Sequence, residues 1–442
     1  MKTISTQAPS TIYYETTVKS EHEAVLRRQL SWMVLIGIGL RIGFILLAHT
    51  YRFKAENGTF GFGYEMGRIA ASLAEGHGYS SPFYQPTGPT AWQPPLYPFL
   101  IAAVFKLAGV YSAASAIILL SINSLFSALT AIPVFHLARR SFGEKIASWS
   151  AWTWTLSPWA AYWAVKWIWE TSITAFLLCV LLVLACRLAE QGRQRDWTAW
   201  GLLWGIAALL NTSLLAVLPI SWLWIVEHSG ERKRKIAAST ALAALLCLVV
   251  TAPWAIRNFL TFHEAVFLRT NFGVELRIGN GSGANGLAMD YRHPTHNVLE
   301  FAKYRKMGEV AYAKECRQEA LSWIEQNPGG FVKVTLARIV YYWTSLPWGG
   351  RVIPPKNALF LASSVCAFWG LWLMRKQGRR VLGLYAICLI VFPLVYYVVF
   401  PHPRYRGAIE PEITILIVFL VSQTSTLKRA HPSSGQFDET TG

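Results

Sequence analysis

Charge is what this sequence has least of for its length. Only 15% of its 442 residues are Asp, Glu, Lys or Arg, where a soluble domain carries about a quarter. With 53% hydrophobic residues and 20 Trp, the deficit excludes an ordinary soluble enzyme. It points to a polytopic membrane protein with aromatic side chains at its interfaces. No CxxC occurs: Cys179, Cys186, Cys247, Cys366 and Cys388 lie in apolar segments and Cys316 stands alone in a polar one. Neither a disulfide framework nor a zinc site is indicated. No internal repeat is visible. The first apolar segment contains Arg41 and lacks a cleavage site, so it reads as a retained helix. Acidic residues are scarce beside basic ones, 24 against 41, for a net charge of +17. The excess does not imply nucleic acid, because the basic residues form short clusters between apolar segments, as the positive-inside rule requires.

Segments of about the roughly 20 apolar residues needed to span a bilayer lie near 31–50, 113–138, 146–164, 171–188, 198–210, 212–227, 236–255, 358–374, 380–400 and 407–425. The pair around Asn211 is short enough to be one broken helix. Ten crossings put four basic clusters on one side: Arg139, Arg140 and Lys145; Arg187, Arg193 and Arg195; Arg232 to Lys235; and Arg375 to Arg380. Both termini join them on the cytoplasmic side. The expected organisation is a cytoplasmic tail (1–30), a transmembrane core (31–256) with an external loop (51–112), an external insert (257–357), two C-terminal membrane helices (358–425) and a second cytoplasmic tail (426–442). Residues 331–348 are apolar but interrupted by Lys333 and Arg338, which predicts a helix lying in the outer interface. Residues 96–108 predict a juxtamembrane helix after Pro94-Pro95. In the insert, 271–297 is rich in Gly and Asn and predicts loop, whereas 298–326 has helical periodicity and stops at Asn327-Pro328-Gly329.

The order of these parts, with EMGR (65–68) followed by IAASLAEGHGYS (69–80), WQPPLYPFL (92–100), PWAIRNF (253–259) and HPRYRGAIEP (402–411), resembles the GT-C class of integral-membrane glycosyltransferases. Protein O-mannosyltransferases and the lipid A aminoarabinose transferase are its nearest likenesses. The resemblance implies an all-α bundle of about ten membrane helices with a small external α insert. It also implies transfer of a hexose or pentose from a polyprenyl-phosphate carrier to a hydroxyl or amine of a lipid, glycan or protein. A carboxylate of the first external loop would be the base of an inverting displacement. The site would lie on the periplasmic or extracellular face of the plasma (inner) membrane. The family pattern has Asp where this chain has Glu65, one methylene longer.

Several residues are candidates on their own chemistry. Glu65 suits a general base if burial raises its pKa. Arg68, one turn on, is either a phosphate ligand or a local ion-pair partner. Glu170 opens the helix at Thr171, where an acid is favoured by the helix dipole, and the resemblance makes it a second acid of the same cavity. Lys166 one turn earlier is a candidate for phosphate. Arg404 and Arg406 suit bidentate binding of a leaving phosphate, or else lipid head groups. Arg41 lies mid-helix, where insertion costs at least roughly 2.5–3.5 kcal/mol. It calls for Glu65, Glu410, Glu412 or a lipid phosphate as partner. Arg257, with Asn258, is a sugar or phosphate ligand or an interface anchor.

Other patterns carry less. GNGSGANG (279–286) lacks the strand and helix that phosphate loops need. His293 and His296 have no evident third ligand, although a divalent metal stays open as a cofactor. Asn57 and Asn280 head glycosylation sequons, which matter only in a eukaryote. The expected partners are the lipid-linked donor, the acceptor and membrane lipids, with no nucleic acid. A lipid-linked-sugar flippase and a non-catalytic subunit of a glycan assembly complex remain as alternatives.

Overall fold

The computed structural model describes residues 9–53, 60–230, 233–346 and 355–430. The Asn57 sequon, Arg232, residues 347–348 of the expected interfacial segment, and the two ends of the chain lie outside them. Every regular element among the described residues is helical; the only strand-like pairing is one bridge between Ser80 and Pro89.

Five helical stretches are long and apolar enough to cross a membrane: Glu21–Leu47, Ala113–Phe142, Thr171–Gln191, Arg234–Phe262 and Asn357–Lys376. Three shorter apolar ones, Leu96–Ala108, Thr212–His228 and Leu382–Val398, accompany them. The expected ten spans are therefore not ten unbroken helices, and the interruptions have local causes. The 146–164 run breaks at Ser157, whose hydroxyl caps a new helix starting at Pro158. The run at 198–227 breaks at Asn211, whose side chain accepts from the Ser213 amide and starts a 3-10 turn. The 380–400 run is cut by a π turn at Ile387–Val391 and then by Pro393, which has no amide to continue the ladder.

Outward faces are apolar, with Leu35, Leu40, Phe44, Leu248, Ile256 and Leu260 exposed, as a lipid environment requires. Between helices, small residues allow close approach, the usual device where lipid removes the hydrophobic drive to associate. At Gly201 an added Cβ would sit 2.4 Å from the Ala243 carbonyl of the neighbouring helix Lys233–Phe262.

The insert is more structured than its composition predicts. Residues 271–297 do not run as loop throughout but open with the helix Phe272–Gly279. Tertiary contact overrides the Gly-rich composition. A Cβ at Gly279 would lie 1.8 Å from the Val399 carbonyl, so only glycine lets this helix end dock on the broken 382–398 stretch. Arg277 pairs with Glu300 at 2.5 Å and with Glu319 at 2.8 Å, tying it to helices Val298–Met307 and Glu309–Gln326.

Helix Pro328–Thr344 covers most of the segment expected to lie in the interface. Its Arg338 is fully buried, donating to the carbonyls of Tyr397 at 3.1 Å and Val398 at 2.9 Å, to Asn280 Oδ1 at 3.1 Å and to the Gly279 carbonyl. The charge that interrupts the apolar run pins the insert to the bundle.

Candidate active site

The chain folds around two adjoining cavities of about 270 and 1130 Å³. Gln93, Trp169, Glu275, Arg404 and Tyr405 line both. The smaller lobe adds Glu170, Asn211, Ser213 and Arg269. The larger adds Tyr64, Glu65, Tyr84, Asp290, His293 and His296.

Glu65 is the first residue of helix Glu65–Ala74 and is itself buried. The preceding Tyr64 has φ 57 and ψ −113, a conformation that side chains other than glycine seldom adopt and that tends to mark functional sites. Its hydroxyl lies 2.7 Å from His296 Nε2. The turn before it is tied to the 167–169 segment by the Ile168 amide, which donates to the Gly61 carbonyl at 2.9 Å. The entry of the Glu65 helix is thereby fixed to the segment that leads into Glu170.

Burial pushes the Glu65 carboxyl up to about 7, with the positive charges of Arg68 and Arg404 working the other way. A carboxyl near neutrality suits proton transfer. His293 Nε2 stands 3.5 Å from its Oε1. Burial, with His296 and Arg68 nearby, holds the His293 imidazole down to about 3, hence neutral.

Arg404 separates the two lobes. Its guanidinium lies 3.5 Å over the Trp169 ring, and its buried Nη1 has no hydrogen-bond partner among the described residues. A buried donor left unpaired costs about 1–3 kcal/mol or more if charged, so this one marks a place where an acceptor atom belongs. Glu170 is in a similar state. Its Oε1 takes a long 3.4 Å contact from Asn211 Nδ2, while Oε2 is buried without a partner. It makes no side-chain cap on helix Thr171–Gln191.

Other candidates are used elsewhere. Arg406, two residues from Arg404, lines neither lobe. It donates to Glu410 at 2.5 Å, the Phe360 carbonyl at 3.1 Å, Ser364 at 2.6 Å and Ser363 at 2.7 Å. Arg41 reaches none of the expected carboxylates. It donates to Ser127 at 3.1 Å and to the carbonyls of Gly37 and Thr155, each at 3.0 Å. Arg257 donates to the Thr90 carbonyl at 2.7 Å and the Tyr79 carbonyl at 3.0 Å, locking the first loop to the end of its own helix. Lys166 is exposed and contacts Tyr162 Oη at 3.3 Å.

Arg68 forms no ion pair with Glu65 within 4.0 Å among the described residues. It lies between the rings of Tyr64 at 4.5 Å and Tyr84 at 3.8 Å. It reaches Pro82 O at 3.3 Å and Thr295 Oγ1 at 3.5 Å, while its buried Nε and Nη2 stay unpaired.

Sequence reasoning misses Glu275, Arg269, Gln93 and Tyr405. Glu275 is held above the usual carboxylate range by burial, which the charges of Arg269 and Arg404 oppose. It accepts from Asn271 Nδ2 at 3.0 Å. The available signal was the pairing of Val274 with Ile278 one turn on, masked by the surrounding glycines. No three His, Cys, Asp or Glu side chains among the described residues converge closely enough to hold a metal ion.

Residues 92–256 match the model of the dolichyl-phosphate-mannose-protein mannosyltransferase family. That stretch includes Glu170 but neither Glu65 nor Arg404. No curated protein matches the chain. Among solved structures, the archaeal oligosaccharyltransferase AglB from Archaeoglobus fulgidus, in complex with an inhibitory peptide and a dolichol-phosphate, superposes with TM-score 0.54 at 13% identity. The match covers 93% of this chain and 52% of that one. The same enzyme tethered to an acceptor peptide gives TM-score 0.54 at 13% identity over 94% and 52%. This chain thus spans about half the length of the archaeal enzyme. ArnT from Cupriavidus metallidurans, bound to undecaprenyl phosphate, aligns over 90% of this chain and 79% of its own at 16% identity. Its TM-score of 0.37 is too low for a shared fold to follow from it. With the apolar helices and the matched segment, the archaeal likeness identifies this chain as a polytopic membrane protein of the GT-C fold.

Proposed function

We propose that this protein is a glycosyltransferase that moves a sugar from a polyprenyl-phosphate carrier to an acceptor hydroxyl or amine. The reading rests above all on Arg404, a half-buried arginine with a buried, unpaired Nη1 on the wall shared by the lobes of Glu65 and Glu170. The matched family acts with dolichyl-phosphate-mannose, and the archaeal relative was solved with a dolichol-phosphate, so a phosphate ester is the natural counterpart of that unpaired cation.

In this reading the smaller lobe takes the donor. Arg404, with Arg269 beside it, meets the phosphate, and Glu170 with Asn211 binds sugar hydroxyls. The acceptor enters the larger lobe. The Glu65 carboxylate takes its proton as the acceptor oxygen or nitrogen attacks the anomeric carbon. The bond from that carbon to the phosphate oxygen breaks, and its electron pair leaves with the phosphate, whose charge Arg404 offsets. The configuration inverts, and the proton on Glu65 passes to water. With the basic clusters on the cytoplasmic side, this chemistry belongs to the non-cytoplasmic face, covered by residues 60–112 and 257–346. A flippase would instead carry charges along several inward helix faces, whereas Glu65, Glu170, Arg269, Glu275 and Arg404 here line two adjoining lobes.

The test is turnover of a panel of polyprenyl-phosphate sugars by purified protein, read as release of polyprenyl phosphate. Glu65→Gln should lower turnover by about 10²–10⁴-fold, the usual worth of a general base, without weakening donor binding. Full activity in that variant would remove Glu65 from the reaction.

A further inference from the structure

The segment His293-Pro294-Thr295-His296 of the insert meets the segment Tyr64-Glu65-Met66-Gly67-Arg68 side chain by side chain. Tyr64 Oη lies 2.7 Å from His296 Nε2, Glu65 Oε1 lies 3.5 Å from His293 Nε2, and Arg68 Nη1 lies 3.5 Å from Thr295 Oγ1. The middle contact has a defined polarity. The Thr295 amide donates to His293 Nδ1 at 3.1 Å. An amide nitrogen can only donate, so Nδ1 carries no proton and a neutral His293 carries it on Nε2. That N–H faces the Glu65 carboxylate.

We propose that His293 is a positioning residue for Glu65: its Nε2–H holds Oε1, leaving Oε2 as the oxygen that meets the acceptor. The inference rests on the reading of Glu65 as the base. The ring is fixed for this task. Phe83 and Trp92 present themselves edgewise to it at centroid distances of 5.7 and 5.8 Å. The titratable and charged groups around it are Tyr64, Glu65 and Arg68 from the base helix and its entry, and His296 from its own segment. With Arg68 and His296 beside it in a buried pocket, the imidazole does not take a second proton at working pH. It therefore acts as a neutral donor, not as half of an ion pair. The 3.5 Å separation is typical of a catalytic contact that shortens once substrate fills the site.

Two substitutions separate the contacts. His293→Asn keeps an oxygen where Nδ1 accepts from the Thr295 amide but does not reach Glu65. His293→Gln places an N–H at the reach of Nε2. Two readouts are needed: the titration of the Glu65 carboxyl by infrared difference in substrate-free protein, and kcat, donor KM and the acidic limb of the pH profile. Removing the donor destabilises the carboxylate, so in His293→Asn the Glu65 titration and the acidic limb should both move up by about one unit. There kcat should fall about tenfold or more with donor KM unchanged, and His293→Gln should restore both. His293→Phe, which fills the ring volume, repeats the test if the asparagine variant folds poorly. An unmoved carboxyl titration in His293→Asn and His293→Phe, or a glutamine variant as defective as the asparagine one, would overturn the proposal. Full turnover in Glu65→Gln would overturn the base assignment instead, while the infrared titration would still report whether His293 holds that carboxyl.

Discussion

Arg404 and Arg406 are two residues apart in one 3-10 turn, yet they belong to different regions of the molecule. Arg406 lies among Glu410, Ser363, Ser364 and the Phe360 carbonyl, with Nε, Nη1 and Nη2 all donating. Arg404 lies on the cavity wall, supported by a flat ring and left with an unpaired buried nitrogen. Arg406 is buried and Arg404 half-buried with a buried Nη1, so both carry guanidinium nitrogens out of solvent and burial alone says nothing about function. What separates them is pairing together with place: Arg406 is fully paired away from the lobes, and Arg404 keeps an unpaired nitrogen while lining both. Arg257 is likewise held by backbone carbonyls, whereas Arg338, anchored by four acceptors, keeps its buried Nε unpaired away from both lobes.

The sharpest way to break this contrast is to replace each arginine with Met. Arg404→Met should lower kcat/KM for a polyprenyl-phosphate sugar by about 10²–10³-fold and leave the melting temperature of purified protein nearly unchanged. Arg406→Met should do the reverse. It strands Glu410 as a buried unpaired carboxylate, which costs about 3–5 kcal/mol and shows as a large drop in thermal stability, while the folded fraction keeps its donor affinity. A smaller effect is expected from pH. Glu65 acts only as carboxylate, so kcat/KM should rise through about pH 7 and then level off. Between 4.5 and about 7 the native protein holds a proton that the unfolded chain has lost. Stability therefore falls as pH rises across that window, and Glu65→Gln should remove this slope from a melting-temperature profile. The smallest effect belongs to Lys166→Ala. An exposed side chain with one long hydrogen bond and two distant ring contacts should change turnover by no more than about twofold.

The membrane helices were legible because span length is a property of local sequence, and the break at Asn211 was visible as a shortfall of apolar residues. Glu65, Glu170 and Arg404 were also nameable, as charges at the ends of apolar runs, and all three line the cavity. The destinies of Arg41 and Arg257 were not, since carbonyl and hydroxyl partners leave no pattern in sequence; for Arg406 the acid four residues on, Glu410, was the one readable sign. Glu275 was hidden because its short helix depends on Gly273 and Gly279 touching the carbonyls of Ala313 and Val399, contacts made far along the chain. His293 drew notice for a metal, but its partner is a carboxylate from the first loop.

The wall common to the two lobes has a thermodynamic consequence. The positive charge of Arg404 is among the influences that lower the Glu65 pKa. If the smaller lobe holds the donor phosphate as proposed, binding neutralises that charge and eases the restraint on the carboxyl, leaving that of Arg68. Glu65 then becomes a stronger base at the moment the donor is in place. Linkage requires the reciprocal effect: donor binding takes up a fraction of a proton, and donor affinity weakens as pH rises through the titration of Glu65. The acid and the cation thus form a pair that couples occupancy of one lobe to reactivity in the other.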